Sequence, residues 1–203
     1  MRNKALKIDP FNLIISGVGG QGNVLLSGFV GEALLNEGFM VSVADTFGVT
    51  QRGGSVVSHI RLSKKTLYTS ITLEGKADAI LGMEPIETLR ALGEFGNPHV
   101  VTIVNPRPVY PSGGAIYPDL DEVKRLISKL SFQAKFVSAT EEALKMGSPI
   151  YTNIILLGSL VGAEILPMSR ETMIPILKER FPGKLFDTNI KAFDRGMELI
   201  AKA

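Results

Sequence analysis

Three glycines in the pattern Gly17-x-Gly19-x-x-Gly22 stand between an apolar run, Phe11 to Ser16, and a segment with helical spacing that begins at Asn23. A buried strand that turns sharply into a helix needs glycine where the backbone takes a positive φ or passes close to its neighbours. The N–H groups of such a helix N-terminus point outward, and the helix dipole favours an anion. The pattern therefore predicts an α/β fold with a phosphate- or carboxylate-binding loop early in the chain.

The segments after this loop predict a mixed sheet. A helix over Asn23–Glu37 and a strand over Phe39–Ala44 begin a βαβ unit, but the strand Ser55–Leu62 follows with no helix in between. A parallel crossover needs about a dozen residues, so we expect antiparallel or distant pairing here. A hairpin turn at Ser63–Lys65 is predicted to lead into a further strand over Thr66–Thr72.

Strand-like and helix-like segments alternate through the rest of the chain, which favours a three-layer α/β fold with a mixed, Rossmann-like central sheet. The longest apolar stretch, Ile154 to Leu166, is too short and too interrupted to span a bilayer and predicts a buried helix. The further predicted strands are Ala79–Gly82, His99–Val104 and Lys135–Val137, and the further predicted helices are Ile86–Leu92, Asp119–Lys129, Thr140–Met146, Tyr151–Leu166, Arg170–Arg180 and Leu185–Ala203.

Composition excludes several classes of function. A length of 203 residues predicts one domain, 1–203, and a net charge of +2 is too small to indicate nucleic acid or an anionic membrane as the partner. The chain has no cysteine, so it offers no disulfide, no thiolate nucleophile and no ligand for an iron–sulfur cluster. His59 and His99 have no companions at metal-ligand spacing, and no secretory signal is visible, so we expect a cytoplasmic protein.

A second glycine loop, Gln51-Arg52-Gly53-Gly54, carries an arginine whose guanidinium can bind a phosphate or carboxylate bidentately. The alternative for Arg52 is an ordinary salt bridge to another loop or subunit. In the first loop, Gln21 and Asn23 can bind a ligand or cap the helix. Both alternatives stay open at this point.

Three further side chains have both a functional and a structural interpretation. Asp45 ends the second strand, where a dinucleotide-binding fold would place an acidic residue on a ribose, although a tight turn alone would also explain the glycines. Glu84, before Pro85, lies at a strand end where ligands bind in α/β folds, or it compensates the charge of a helix N-terminus. For His59 a packed or solvent-facing histidine is favoured, since the sequence shows no partner for it.

Taken together, these motifs resemble the gamma-type subunit or domain of the 2-oxoacid:ferredoxin oxidoreductases, over nearly the whole chain. Within that family, the segment from Gln51 to His59 is most similar to the beta subunit of indolepyruvate oxidoreductases. The resemblance is carried by Gly17-Val18-Gly19-Gly20-Gln21-Gly22, Gln51-Arg52-Gly53-Gly54-Ser55-Val56-Val57-Ser58-His59-Ile60-Arg61, Ala77-Asp78, Glu84-Pro85, Asn153 to Gly158 and Asn189 to Phe193.

The resemblance implies an accessory subunit of a complex that oxidatively decarboxylates a 2-oxoacid, transfers the acyl group to coenzyme A and reduces ferredoxin. Thiamine diphosphate, Mg²⁺ and the 4Fe–4S clusters would belong to a larger partner subunit. We expect the two glycine loops to line the shared cleft, with no catalytic or metal-binding residue on this chain. The candidate binding residues are Gly17, Gly19, Gly20, Gln21, Gly22, Asn23, Gln51, Arg52, Gly53 and Gly54.

Three alternatives accompany this interpretation. The chain can be the gamma subunit of an oxidoreductase for pyruvate, 2-oxoisovalerate or 2-oxoglutarate. It can be a stand-alone NAD(P)-dependent oxidoreductase that uses the glycine pattern and Asp45, although the sequence shows no acid or base for a hydride site. It can also be a non-enzymatic nucleotide-binding assembly module.

Overall fold

A computed structural model describes residues 6, 8–48, 53–110 and 116–203. Within these residues the strands are β1 Phe11–Val18, β2 Met40–Phe47, β3 Ser55–Ser63, β4 Ala79–Gly82, β5 Val101–Val104 and β6 Gln133–Phe136. The helices are α1 Asn23–Asn36, α2 Pro85–Phe95, α3 Leu120–Leu130, α4 Ala139–Lys145, α5 Thr152–Gly162, α6 Arg170–Arg180 and α7 Lys184–Ile200, with a 3₁₀ turn over Pro149–Tyr151 before α5.

All six strands form one mixed sheet in the order β2-β3-β1-β4-β5-β6. β1, β4, β5 and β6 are parallel to one another, whereas β3 pairs antiparallel with both β1 and β2. The predicted mixed sheet is confirmed. The beginning of the βαβ unit differs from expectation, because β3 lies between β1 and β2: Gly17 is opposite Val56, and Val57 is opposite Thr46.

Helices cover both faces of the sheet, which confirms the three-layer α/β architecture. Along β1, Leu13 and Ile15 belong to the larger apolar cluster, which contains buried residues of α1, α5, α6 and α7. Ile14, on the opposite face, belongs to a smaller cluster with residues of α2 and α3. β1 is buried along its whole length, as expected for a strand covered on both faces.

The long apolar segment near the C-terminus is a buried helix, as predicted. In α5 every residue from Asn153 to Val161 is buried, although the helix ends at Gly162 rather than continuing to Leu166. α5 packs directly on α7, since a Cβ atom on Gly158 would lie 1.9 Å from the carbonyl oxygen of Phe193. Gly158 therefore allows the two helices to pack closely.

The strand predicted over Thr66–Thr72 is wrong. This segment forms no strand; instead, side chains of the sheet hold its backbone. Nη1 of Arg61 donates to the carbonyl oxygen of Thr69 at 2.9 Å, and the hydroxyl of Ser42 donates to that of Tyr68 at 2.6 Å. The guanidinium of Arg61 also lies 5.1 Å from the centre of the Tyr68 ring. The residues have β propensity, but side-chain donors take the place of ladder hydrogen bonds.

Candidate functional site

The first glycine loop lies at the carboxyl end of β1 and leads directly into α1. Gly20 and Gly22 have φ angles of 100° and 90°, which side chains rarely adopt. Gly22 is the N-cap of α1, no side chain of the described residues caps this helix, and its first turn contains no acidic residue. The N-terminus of α1 therefore keeps its attraction for an anion.

Gly17 has a different role, because it lets other groups approach the strand closely. A Cβ atom at Gly17 would lie 2.7 Å from Oε1 of Gln21, 2.9 Å from Oδ1 of Asn23 and 3.0 Å from Cβ of Met83. Oε1 of Gln21 accepts from the backbone N–H of Val18 at 2.7 Å, and its Nε2 donates to the carbonyl oxygen of Met83 at 3.3 Å. Gln21 thus stabilises the loop from within and ties it to the end of β4.

Asn23 is the first residue of α1 and not its cap. Its side chain is buried, and its Nδ2 donates to the carbonyl oxygen of Val56 in β3 at 3.2 Å. Its Oδ1 has no hydrogen-bond partner among the described residues. The side chain therefore ties the start of α1 to the antiparallel strand.

The second glycine loop meets the first. The backbone N–H of Gly19 donates to the carbonyl oxygen of Gly54 at 2.8 Å, and the N–H of Gly48 donates to the carbonyl oxygen of Ser55 at 2.7 Å. Gly53 has a φ angle of 78°. Gln51 and Arg52 lie outside the described residues, so the predicted role of Arg52 stays a prediction.

A cavity of about 690 Å³ opens between the two loops. Its walls combine backbone of the glycine segments with aliphatic and aromatic side chains, and none of its described lining residues carries a charge. Such a site suits a ligand with one anionic group at the start of α1 and an apolar part beside it. The lining residues are Val18, Gly19, Gly20, Gly22, Asn23, Val24, Phe47, Gly48 and Val56.

Sequence reasoning missed Asn105, which joins the ends of β4 and β5. Its Nδ2 donates to the carbonyl oxygen of Met83 at 3.2 Å and to the hydroxyl of Thr140 at 3.0 Å, and its Oδ1 accepts from the backbone N–H of Thr140 at 3.3 Å. The carbonyl oxygen of Met83 therefore accepts hydrogen bonds from both Gln21 and Asn105. A polar residue directly after a buried strand and before Pro106 was the signal that could have identified Asn105.

Glu84 is the buried N-cap of α2. One carboxylate oxygen accepts from the N–H of Glu87 at 2.9 Å; the other accepts from the hydroxyl of Tyr117 at 2.5 Å and from the N–H of Val109 at 3.3 Å. Burial has the larger effect and the hydrogen bond to Glu84 the smaller one, and both raise the pKa of Tyr117 well above its usual range. Glu84 thus anchors both sides of the connection after β5. The geometry therefore favours a structural role for Glu84 at the N-terminus of α2 over a ligand-binding role.

Asp45 does not occupy the position that a dinucleotide-binding fold requires. β2 continues beyond it to Phe47, and its carboxylate accepts from the hydroxyls of Ser27, at 3.3 Å, and of Ser58. Because β3 separates β2 from β1, the ribose-binding arrangement beside the first loop is not formed. The geometry gives no support to a stand-alone NAD(P) enzyme.

His59 is a packed histidine, as the sequence favoured. Its Nδ1 accepts from the N–H of Thr72 at 3.3 Å, and its ring meets that of Phe95 edge-on at 5.2 Å between centroids. Burial lowers the pKa of His59, and the negative charge of Asp45 opposes this effect. Burial and the hydrogen bond accepted by Nδ1 therefore both favour the neutral form of the ring.

Across residues 6, 8–48, 53–110 and 116–203, no group of three His, Cys, Asp or Glu side chains is arranged to hold a metal ion. None of the helices in the described part of the chain has the length and apolar character that crossing a bilayer would require.

Comparison with known proteins gives a consistent set of relatives. The family model for "Pyruvate ferredoxin/flavodoxin oxidoreductase" matches residues 12–199. The chain is 37% identical over 194 residues to the indolepyruvate oxidoreductase subunit IorB of Pyrococcus horikoshii, covering 93% of this chain and 95% of the relative. The IorB subunit of Thermococcus kodakarensis is 36% identical over 194 residues, with the same coverage of 93% and 95%.

Solved structures share the fold. The pyruvate oxidoreductase subunit PORC from Thermotoga maritima has a TM-score of 0.72 at 22% identity, covering 94% of this chain and 96% of that one. A 2-oxoglutarate:ferredoxin oxidoreductase from Magnetococcus marinus, solved with 2-oxoglutarate, coenzyme A and succinyl-CoA bound, gives 0.75 at 22% identity and covers 97% of this chain. This chain spans only 32% of that longer one.

Proposed function

This chain belongs to the pyruvate ferredoxin/flavodoxin oxidoreductase family, and from that premise we propose that it is the small subunit of a 2-oxoacid:ferredoxin oxidoreductase that acts on indolepyruvate or another aryl pyruvate. The observation that carries the proposal is the end-to-end match, at 37% identity, to a relative named as a subunit of indolepyruvate oxidoreductase. Residues 1–203 would act as one unit, and the complex would work in the cytoplasm.

The residue chemistry supports an accessory role. Because the chain has no cysteine, it has no thiolate for an iron–sulfur cluster. The described lining of the glycine cavity has no carboxylate that would hold the Mg²⁺ of thiamine diphosphate. We therefore assign thiamine diphosphate, Mg²⁺ and the 4Fe–4S clusters to a larger partner subunit, which would supply the chemistry of decarboxylation and pass electrons to ferredoxin.

This chain would contribute one wall of the cleft in which coenzyme A, thiamine diphosphate or the oxoacid is enclosed. The uncapped N-terminus of α1 would offer backbone N–H donors to an anionic group. Arg52 would add a charge-assisted, bidentate hydrogen bond from the neighbouring loop. The apolar walls at Val18, Val24 and Phe47 would exclude water from the enclosed ligand.

Purification of the chain from its native source, with its partners retained, tests this role. Iron, sulfide and thiamine diphosphate are measured in the eluate, and the copurifying proteins are identified. We expect one larger cysteine-containing subunit together with all three components. An eluate with a partner but without iron and thiamine would favour the nucleotide-binding assembly module instead.

A second candidate is a gamma subunit with a different 2-oxoacid as substrate, which the fold shared with the PORC subunit of pyruvate oxidoreductase supports. The purified complex is assayed with indolepyruvate, phenylpyruvate, pyruvate, 2-oxoisovalerate and 2-oxoglutarate. We expect the highest kcat/KM with an aryl pyruvate. A preference for pyruvate or 2-oxoglutarate would support the second candidate.

A further inference from the structure

α1 is apolar on nearly all sides. Of its 14 residues only Glu32 is charged, and the face that includes Leu26 and Val30 is buried in the core. On the opposite face, Val24 and Leu35 remain 49% and 56% exposed. Helices that are apolar all round are normally buried all round, so the exposed face of α1 indicates a surface that another protein covers.

The edge strand beside α1 has the same character. On the side of β2 that faces α1, Val43 is 39% exposed and Phe47 is 66% exposed. β2 contains neither lysine nor proline, and its only charged residue, Asp45, is engaged with the hydroxyls of Ser27 and Ser58. Edge strands of soluble proteins usually carry such protective residues unless something covers them.

We call the exposed positions on this side of α1 and β2 the α1–β2 face: Val24, Gly28, Leu35, Val43 and Phe47. A groove of about 590 Å³ between α1 and α6 adjoins this face at Val24 and Gly28. Val24 lines both this groove and the glycine cavity, and Phe47 lines the cavity. The α1–β2 face is therefore continuous with the candidate site.

The charges of the groove indicate the chemistry of the occupant. Glu32, Glu179 and Arg180 line it, and none of the three makes an ion pair with another described residue. Two carboxylates against one guanidinium favour a partner that brings a positive charge. A second copy of this chain would instead bring four carboxylates together with two guanidinium groups.

We propose that the α1–β2 face is the docking surface for the larger subunit, which lays an apolar segment in the groove and places a lysine or arginine against Glu32 and Glu179. This inference rests on the proposed function, since it takes its partner from there. The contact that buries the exposed face of α1 would also close the glycine cavity, because Val24 lines both the groove and the cavity.

Two exposed helical glycines provide a matched test. Gly28 lies on the α1–β2 face and Gly93 lies on α2, in the helix layer on the other side of the sheet. A Cβ atom at either would meet no atom of the described part of the chain within 4 Å, so Gly28→Arg and Gly93→Arg should both fold. Each variant is titrated against the purified larger subunit to obtain a Kd, and thermal unfolding verifies that the variant is folded.

We expect Gly28→Arg to raise the Kd at least tenfold and Gly93→Arg to change it less than twofold. A second pair of variants controls for misfolding. It consists of Leu35→Glu on the α1–β2 face and Leu185→Glu on α7, where the wild-type residues are 56% and 58% exposed. Only Leu35→Glu should weaken binding. Glu179→Lys should also weaken it, by repelling the positive charge of the partner.

Three results would overturn the inference. The first is wild-type affinity in both Gly28→Arg and Leu35→Glu. The second is a loss of affinity confined to the variants at Gly93 or Leu185. The third is an isolated chain that sediments as a dimer and is dissociated by Gly28→Arg, since a second copy would then occupy the face. If the wild-type chain does not bind the larger subunit at all, the proposed function itself fails.

Discussion

The backbone N–H of Gly19 donates to the carbonyl oxygen of Gly54, and this 2.8 Å hydrogen bond joins the two glycine loops at one edge of the sheet. The pairing of β1 with β3 makes the contact possible, since Val18 lies opposite Ser55. β3, the antiparallel strand by which this fold differs from a dinucleotide-binding sheet, therefore also brings the second loop to the first.

Replacement of Gly17 by alanine should destabilise the loop. The new Cβ would crowd Gln21, Asn23 and Met83 at 2.7–3.0 Å, and overpacking of this kind costs about 1–3 kcal/mol of unfolding free energy. Urea unfolding of Gly17→Ala measures the loss. Gly93→Ala is the control, because its Cβ has open space and alanine favours the helix by up to about 1 kcal/mol. Equal stability of the two variants would contradict the close packing around Gly17.

Removal of the Glu84 side chain should destabilise the protein more than removal of the Tyr117 hydroxyl. Glu84→Ala loses the cap of α2 and leaves the N–H of Val109 and the hydroxyl of Tyr117 without their acceptor, which together cost about 2–4 kcal/mol. Tyr117→Phe loses one hydrogen bond, worth about 1–2 kcal/mol. Urea unfolding of both variants checks the order. Losses below about 0.5 kcal/mol in both would show that Glu84 anchors nothing.

The buried His59 should make stability depend on pH. Its pKa is lowered in the folded protein, so below the ordinary value of 6.5 the unfolded chain binds a proton that the folded chain does not. The stability of the wild type then falls as the pH falls, by up to about 1.4 kcal/mol per pH unit for one proton. The contribution of neutral His59 is fully present above pH 6.5.

The variant His59→Asn separates this effect from other titrating groups. Asparagine can still accept from the N–H of Thr72 but does not titrate, and it loses the edge-on contact with Phe95. It should be less stable than the wild type by about 1–3 kcal/mol at pH 8. Urea unfolding at pH 8 and pH 5.5 should show this difference shrinking at the lower pH. A constant difference would exclude His59 as the source.

Arg52 should act on the ligand and not on assembly. In the complex, Arg52→Lys keeps the charge but loses the bidentate geometry, and we expect kcat/KM to fall about 10–100-fold, which corresponds to about 1.4–2.8 kcal/mol. Arg90→Lys, at an exposed arginine of α2, is the matched control. Unchanged kinetics of Arg52→Lys would favour the salt-bridge alternative for Arg52.

Much of the fold could be predicted because local patterns determine it. α6 has the same bounds as predicted, Arg170–Arg180, and the glycine turn lies between β1 and α1 as expected. The insertion of β3 between β1 and β2 depends on pairing between distant strands, which periodicity does not encode. The error at Thr66–Thr72 has the same origin, since Arg61 and Ser42 supply its hydrogen bonds from elsewhere in the sheet.

The position of the glycine loop could be predicted from the sequence, but the contacts of its side chains could not. Glycines between a strand and a helix locate the loop, because few other residues tolerate that backbone. Whether Gln21 meets a ligand or the protein depends on Met83, which belongs to a distant segment. The structure shows the hydrogen bond from Gln21 to Met83, and a contact between Gln21 and a ligand stays a prediction.

Reconstitution of the complex from its separate subunits tests whether this chain has an accessory role. The purified chain is titrated into the purified larger subunit, and the CoA-dependent reduction of ferredoxin by indolepyruvate is measured. An accessory role predicts no activity for this chain alone, little for the larger subunit alone, and a rise to a plateau at a fixed ratio of the two. Full activity of the larger subunit by itself, or turnover by this chain alone, would contradict it.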